Sequence, residues 1–538
     1  MVRPLISFAL NSIAPWLLLL LLCTTATMVT SQNTFPKPTG PYDVIGVHDF
    51  EFVDTTYPST REEDDVNDGG GGGRRIMVRV WYPACRGSNF DTETRVCVNE
   101  NLEAAVAATT STTSSTASES SSLSSSSSFS LPEPFGPRKY LWDGSEREAI
   151  GDRQIEAFSF AFDLTPIYDA SNDQLTNSYW DASVVTPELE RPLPIVVFNC
   201  GALGHVGQNT ALMEDLASHG YAVFSVSHPG GSYILYPNGD TLPVDEDFLS
   251  AVFGGAPPVG LNDPDINVRY EAKRNIVESN NGTNPYLPRW RDDILAFVDY
   301  LEEFANNADD ALPPSATELT GSILRDILGK EKQLKVVYGG MSFGASAAGS
   351  AAQIDERAVG VFNLDEAHKS PDLLGTAVRT PYLNIFAGGP VYSNEFFFET
   401  LTTMGSDPNV YRIAVKDSVH LEFTDIMFVP NELRMVFGGG NVNATEVIDP
   451  NTNAVGGLHY LIASSVGEFL DMAFGGHDSE WDAESVISAY PEKSSLLDVS
   501  YVAEWARTSF DSEDASSSVQ QMLNFVWCLG AVLAIMNM

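Results

Sequence analysis

The sequence predicts an α/β fold built on a doubly wound, mostly parallel sheet with helices on both faces. Three observations point there. Short runs of β-branched and aromatic residues, such as Ile195-Val196-Val197-Phe198-Asn199, alternate with stretches of helical periodicity, the pattern of repeated βαβ units. One such run, from Lys335 to Tyr338, leads into Gly340-Met341-Ser342-Phe343-Gly344, and small residues suited to a helix follow. The chain of 538 residues is long for one domain, yet the excess falls in low-complexity stretches rather than in a second core.

In chain order, Met1 to about Ser31 reads as a secretory signal: Arg3 gives a positive start, Trp16 to Leu22 an apolar centre, and small residues follow. An uncleaved anchor is the rival, although the apolar run is short for a membrane span. One catalytic domain is expected over 41–474. It opens with two alternating runs, Val44 to Phe52 and Arg75 to Pro83, read as an antiparallel pair. Between them, about 59–74 is an acidic and glycine-rich connection; no Lys-Ser/Thr pair accompanies the glycines, so a loop is preferred to a phosphate cradle. A second insertion, about 104–130, is Ser/Thr/Ala-rich and too poor in apolar residues to form a core. The aromatics from Tyr140 to Phe162 suit either a pocket roof or ordinary packing.

The βαβ part begins with the strand Ile195–Asn199. A helix over 209–218 follows, stopped by Gly220, then a strand from Tyr221 to Ser227. Ile294, Leu295, Phe297, Val298 and Leu301 mark one face of an amphipathic helix from Trp290 to Phe304. Beyond the Ser342 turn come strands over 359–364, 382–386 and 411–415, and a last helix from Leu458 to Met472.

A strand, a sharp turn with serine at its apex and a helix together make the nucleophile elbow of an α/β-hydrolase. Gly340 and Gly344 belong to it because side chains would collide where strand and helix nearly touch. A serine hydroxyl needs a base to take its proton and an acid to orient that base, in the chain order Ser, Asp/Glu, His for this fold. Four histidines follow the acid candidate. His368 would share the acid's own loop, His459 opens a helix and His477 lies past the last helix, whereas His420 follows the strand ending at Val415. Asp365 ends the strand before it and is the expected acid, with Glu366 as the adjacent rival; Asp425 violates the chain order. Two backbone N–H groups are needed for the developing alkoxide. Phe343 is expected to give one, and the loop Cys200 to Gly204 the other, from Ala202 or else Leu203.

These residues together resemble the type-II platelet-activating factor acetylhydrolases. The shared motifs are Val80-Trp81-Tyr82-Pro83-Ala84, Pro192 to Phe198 with its glycine-rich loop, and Asp215-Leu216-Ala217-Ser218-His219-Gly220-Tyr221. His228-Pro229-Gly230-Gly231-Ser232, the elbow, Asn363-Leu364-Asp365 and Ser418-Val419-His420 continue them. Cys200 stands where the family usually has histidine, and Met341 and Ala345 replace the usual elbow histidine and second glycine; both changes bear on pocket shape. The resemblance implies calcium-independent release of a short or oxidised acyl group from a phospholipid. Residue chemistry alone implies a serine ester hydrolase, which leaves a general carboxylesterase or polyester hydrolase open. A catalytically silent surface-adhesion protein of the same fold is the reading from another class.

No cofactor is expected, and no metal, since no Cys/His cluster has zinc-ligand spacing. The net charge of −42 argues against nucleic acid and anionic lipid as partners. Of five cysteines, Cys85 and Cys97 flank a polar loop and could bridge in an oxidising compartment, or stay as two thiols. Asn281 and Asn443 are glycosylation acceptors. After a polar tail over 475–521, the segment 522–538 is almost continuously apolar. It fits a glycolipid-anchor signal, a terminal membrane helix or a docked tail. Extracellular or cell-surface residence is expected, with membrane contact through that segment and a lipid substrate.

Overall fold

The computed structural model describes residues 35–58, 73–85, 150–158, 165, 175–185, 192–253, 268, 271–272, 275, 286–307, 317–329, 333–366, 371–373, 378–387, 410–415, 420–425, 458–475 and 497–501. The signal segment, Cys97, Asn281, Asn443, His368, His477, the insertion 104–130 and the apolar end lie outside these residues.

The strands are β1 (Ile45–Pro58), β2 (Gly73–Cys85), β3 (Ser178–Trp180), β4 (Ser183–Val184), β5 (Ile195–Asn199), β6 (Ala222–Val226), β7 (Ile234–Leu235), β8 (Thr241–Leu242), β9 (Val336–Met341), β10 (Ala358–Leu364), β11 (Tyr382–Ala387), β12 (Val410–Val415) and β13 (Leu497–Tyr501). The helices are α1 (Asp152–Phe158), α2 (Thr210–Ser218), α3 (Glu246–Phe253), α4 (Tyr286–Asn306), α5 (Glu318–Leu328), α6 (Phe343–Ile354) and α7 (Leu458–Gly475).

One large sheet runs β13-β12-β11-β10-β9-β5-β6-β2-β1-β3, with β4 beside β2. Its centre, from β6 to β12, is parallel throughout. The antiparallel pair β1/β2 closes one side and β13 the other. Gly73 and Arg74, expected in the connection after β1, belong to β2; Gly73 pairs with Pro58 and Arg74 with Asp54.

Alternation along the strands divides the core. Ile195, Val197, Phe224, Val336 and Tyr338 pack with α4, α5 and α6, whereas Val196, Phe198, Val223, Val337 and Phe362 pack with α2 and α7. Helices on both faces are why the central strands are buried along their whole length. The chain leaves β5 towards β6, then returns to place β9 on the other side of β5. The strand order therefore reverses between β5 and β9, the point in such sheets where a crevice forms between the loops that leave the carboxyl edge.

Candidate active site

The wholly buried β9 delivers the chain to Ser342, where φ is 52° and ψ −131°, a backbone that L-residues rarely adopt. α6 starts at the next residue. Two bonds hold the turn: the Ser342 N–H donates across to the Leu364 carbonyl of β10 (3.0 Å), and the Ala345 N–H to the Ser342 carbonyl within the turn (2.8 Å). A Cβ on Gly340 would stand 2.5 Å from the Ala345 nitrogen, and one on Gly344 2.5 Å from the Asn199 carbonyl oxygen. The second distance shows what the glycine is for: it lets the start of α6 press on the end of β5.

Asp365 follows β10 with φ at 54°. Its N–H donates to the Ile385 carbonyl (2.8 Å), and its Oδ1 accepts from the Ala387 N–H (2.8 Å). Its Oδ2 lies 2.7 Å from Nδ1 of His420, which opens a short 3-10 turn, His420–Phe423, beyond β12. A carboxylate only accepts, so the imidazole proton sits on Nδ1 and Nε2 is the basic nitrogen of the neutral ring. The adjacent rival is held differently: Glu366 is tied through its backbone N–H and carbonyl to the Asn363 amide (3.0 and 2.8 Å). His459 lies buried in α7, where burial lowers its pKa to about 4. Asp425 accepts from the Thr210 and Ala211 N–H groups (2.6 and 3.2 Å), so it caps α2.

In the loop after β5, the Leu203 N–H donates to the Gly231 carbonyl (3.0 Å) and the Gly204 N–H to the Gly201 carbonyl (2.9 Å). The Gly201 N–H donates to Gln208 Oε1 (2.9 Å). Ala202 is the loop residue beside these whose N–H meets no acceptor among the described residues, and Phe343, at the start of α6, is the same. The two share a further property. In a trans peptide the N–H points opposite to the preceding C=O. Gly201 and Ser342 both have that C=O tied inside their own turn, so the N–H groups of Ala202 and Phe343 are aimed away from the turns. Leu203 is excluded as the alternative donor by its bond to Gly231.

A buried polar chain adjoins the elbow. Asn199 spans β5 and β9 through its Nδ2 bond to the Gly339 carbonyl (3.0 Å), and its Oδ1 meets His228 Nε2 (3.1 Å). His228 reaches Asp293 through Nδ1 (3.0 Å) and stacks on Trp290 with ring centroids 4.0 Å apart. Trp290 and Phe248 in turn clasp the Phe343 ring edge-on, at 4.8 and 5.7 Å. Cys200, where the resembled family has histidine, is buried, and burial pushes its thiol up to about 12. Met341 is buried against the loop that carries Ala202.

The fold is that of an α/β-hydrolase. No family model matches the chain, and no curated protein matches it. Among solved structures it is similar to a ferulic acid esterase from Streptomyces cinnamoneus, at 18% identity and a TM-score of 0.46, over 87% of this chain and 99% of that one. Within this hydrolase fold, Ser342 stands at the elbow, while Asp365 and His420 meet after β10 and β12. Sequence reasoning missed Asn199, Gln208 and Asp425 as supports; Asp425 was weighed only as an acid, and the other two carry no signal in residue type.

Proposed function

We propose that this chain is a serine ester hydrolase, with Ser342 as nucleophile, His420 as its base and Asp365 as the group that orients the base. The observation that carries the reading is the 2.7 Å contact between Asp365 and His420, made from two loops that leave the same sheet edge as the Ser342 elbow. In the reaction His420 Nε2 takes the Ser342 Oγ proton as Oγ bonds to the ester carbonyl carbon. The carbonyl oxygen becomes an alkoxide held by the Phe343 and Ala202 N–H groups. The C–O bond to the alcohol then breaks, and His420 gives that alcohol the proton. Water, deprotonated by the same nitrogen, attacks the acyl carbon; the bond to Ser342 Oγ breaks, the acid leaves and His420 returns the proton to Oγ.

The substrate we propose is a phospholipid with a short or oxidised acyl chain, on the motifs shared with the platelet-activating factor acetylhydrolases. A general carboxylesterase is the second reading, favoured by Cys200 and Met341 at two positions that line the loop and elbow. A panel of p-nitrophenyl esters of increasing chain length, beside an acetylated ether phosphatidylcholine, separates the two. Ser342→Ala should lower kcat by about 10³-fold or more with the fold retained; a purified variant keeping about a tenth of wild-type kcat would overturn the assignment. Labelling of wild type by a fluorophosphonate, lost in Ser342→Ala, separates an enzyme from a silent adhesion protein.

A further inference from the structure

We infer that Gln208 is a positioning residue for the oxyanion donor: its side chain sets the peptide whose N–H, on Ala202, faces the alkoxide. The inference rests on the ester hydrolase reading. Gln208 lies beyond the glycine-rich loop, yet its side chain turns back under it. Oε1 accepts the Gly201 N–H at 2.9 Å, and Nε2 lies 3.7 Å from Met341 Sδ at the elbow. Room for this comes from Gly204, where a Cβ would overlap Gln208 Oε1 and stand 3.0 Å from its Cδ.

The backbone of Gln208 is fixed from a third direction. Its carbonyl accepts the Asp425 N–H (3.0 Å), two residues past the turn that His420 opens. Next to it, Asn209 Nδ2 donates to the Phe423 carbonyl (2.6 Å), and the Asp425 carboxylate caps α2. Gln208 thus meets the donor loop and the elbow through its side chain, and the end of the histidine turn through its backbone carbonyl.

Its consequence follows from peptide geometry. The Gly201–Ala202 peptide is held at its carbonyl by the Gly204 N–H, and the peptide before it, Cys200–Gly201, at the Gly201 N–H by Gln208. Without an acceptor there, the Gly201 N–H loses its partner and the next peptide can rock, moving the Ala202 N–H off the alkoxide. Alkoxide stabilisation belongs to the transition state, so the loss falls on kcat and leaves ground-state binding alone. A residue that only filled space would change stability and substrate affinity together.

Gln208→Met tests this, because it keeps the length but puts a thioether, a weak acceptor, in place of the amide oxygen. Wild type, Gln208→Met and Ser342→Ala are assayed as full chains with p-nitrophenyl acetate. Rates of wild type and Gln208→Met are normalised to sites titrated to completion by a fluorophosphonate, so an unfolded fraction does not count, and Ser342→Ala, which has no such site, gives the background rate to subtract. We expect kcat about tenfold or more below wild type, KM within about twofold, and an unchanged pH midpoint for kcat, since the Asp365–His420 pair is untouched. A kcat within about twofold of wild type, or a fall in kcat matched by a rise in KM, overturns the inference. If Gln208→Met yields no titratable sites, Gln208→Leu is read by the same criteria. Absence of turnover in wild type sinks the ester hydrolase reading instead, which keeps the two failures apart.

Discussion

Leu203, Ser342 and Asp365 are three of the four non-glycine residues at positive φ among the described residues, and all three border the crevice. Each such backbone costs on the order of 1 kcal/mol or more and persists because neighbours fix it; for Asp365 the neighbours are Ile385 and Ala387. This permits a clean substitution. In Asp365→Asn, Oδ1 can still accept the Ala387 N–H, but the amide nitrogen then faces His420 and favours the wrong tautomer. We expect kcat to fall about 10³-fold or more while the melting temperature stays within a few degrees. Glu366→Gln, whose neighbour holds it by backbone atoms, should keep kcat within about threefold; the reverse ranking would make Glu366 the acid. Buried His459 gives a second residue-scale expectation. Its folded pKa, lowered by burial to about 4, lies below the ordinary 6.5, so between those values the unfolded chain binds the extra proton. Its stabilisation is complete above pH 6.5 and is lost as pH falls towards 4, on the order of 3 kcal/mol. Thermal melts of His459→Gln across that window should decline less steeply than wild type; parallel slopes would show that the carboxylates alone govern acid lability.

At the scale of elements, the elbow is where sequence and packing constrain one another most tightly. Gly344→Ala would put a methyl carbon into the Asn199 and Cys200 carbonyl oxygens, which are backbone and cannot rotate aside. We expect a destabilisation of about 3 kcal/mol or more, read as a lowered urea midpoint, with activity lost together with the fold. Equal midpoints would mean that α6 can shift away from β5. The parallel centre was legible because strands buried on both faces are written as unbroken apolar runs, and Ser342, Asp365 and His420 could be placed because each follows such a run. Edge strands are different. Ser178–Trp180 pairs parallel to β1 and Leu497–Tyr501 antiparallel to β12. Three and five residues carry too little periodicity to announce a partner that is distant in sequence. α5 was legible, yet it is not among the helices read from the sequence above: Thr317 caps it by accepting the Thr320 N–H (3.1 Å), and Gly329 ends it at φ 59°. Gln208 was not legible at all, because its role depends on a fold-back that no local pattern encodes.

For the whole molecule the dominant physical fact is charge: 72 acidic side chains against 30 basic ones. At low ionic strength the Debye length is about 30 Å at 10 mM salt, so the crevice feels the negative field of the entire surface; near 150 mM it shrinks to about 8 Å. A neutral or zwitterionic ester is indifferent to that field to first order, whereas an anionic ester is repelled before it docks. The effect falls on encounter and not on the acyl transfer, because the short contacts inside the crevice are little screened. We therefore expect kcat/KM for the monoanionic p-nitrophenyl hydrogen succinate to rise several-fold between about 10 and 300 mM sodium chloride, with kcat unchanged. Over the same range, p-nitrophenyl acetate should change by less than about twofold, and a short-chain acetylated phosphatidylcholine below its micellar concentration should follow the acetate. If the succinate and the acetate respond alike, the potential at the crevice mouth is set by local groups and not by the net charge, and repulsion would then have no part in selecting uncharged or zwitterionic substrates.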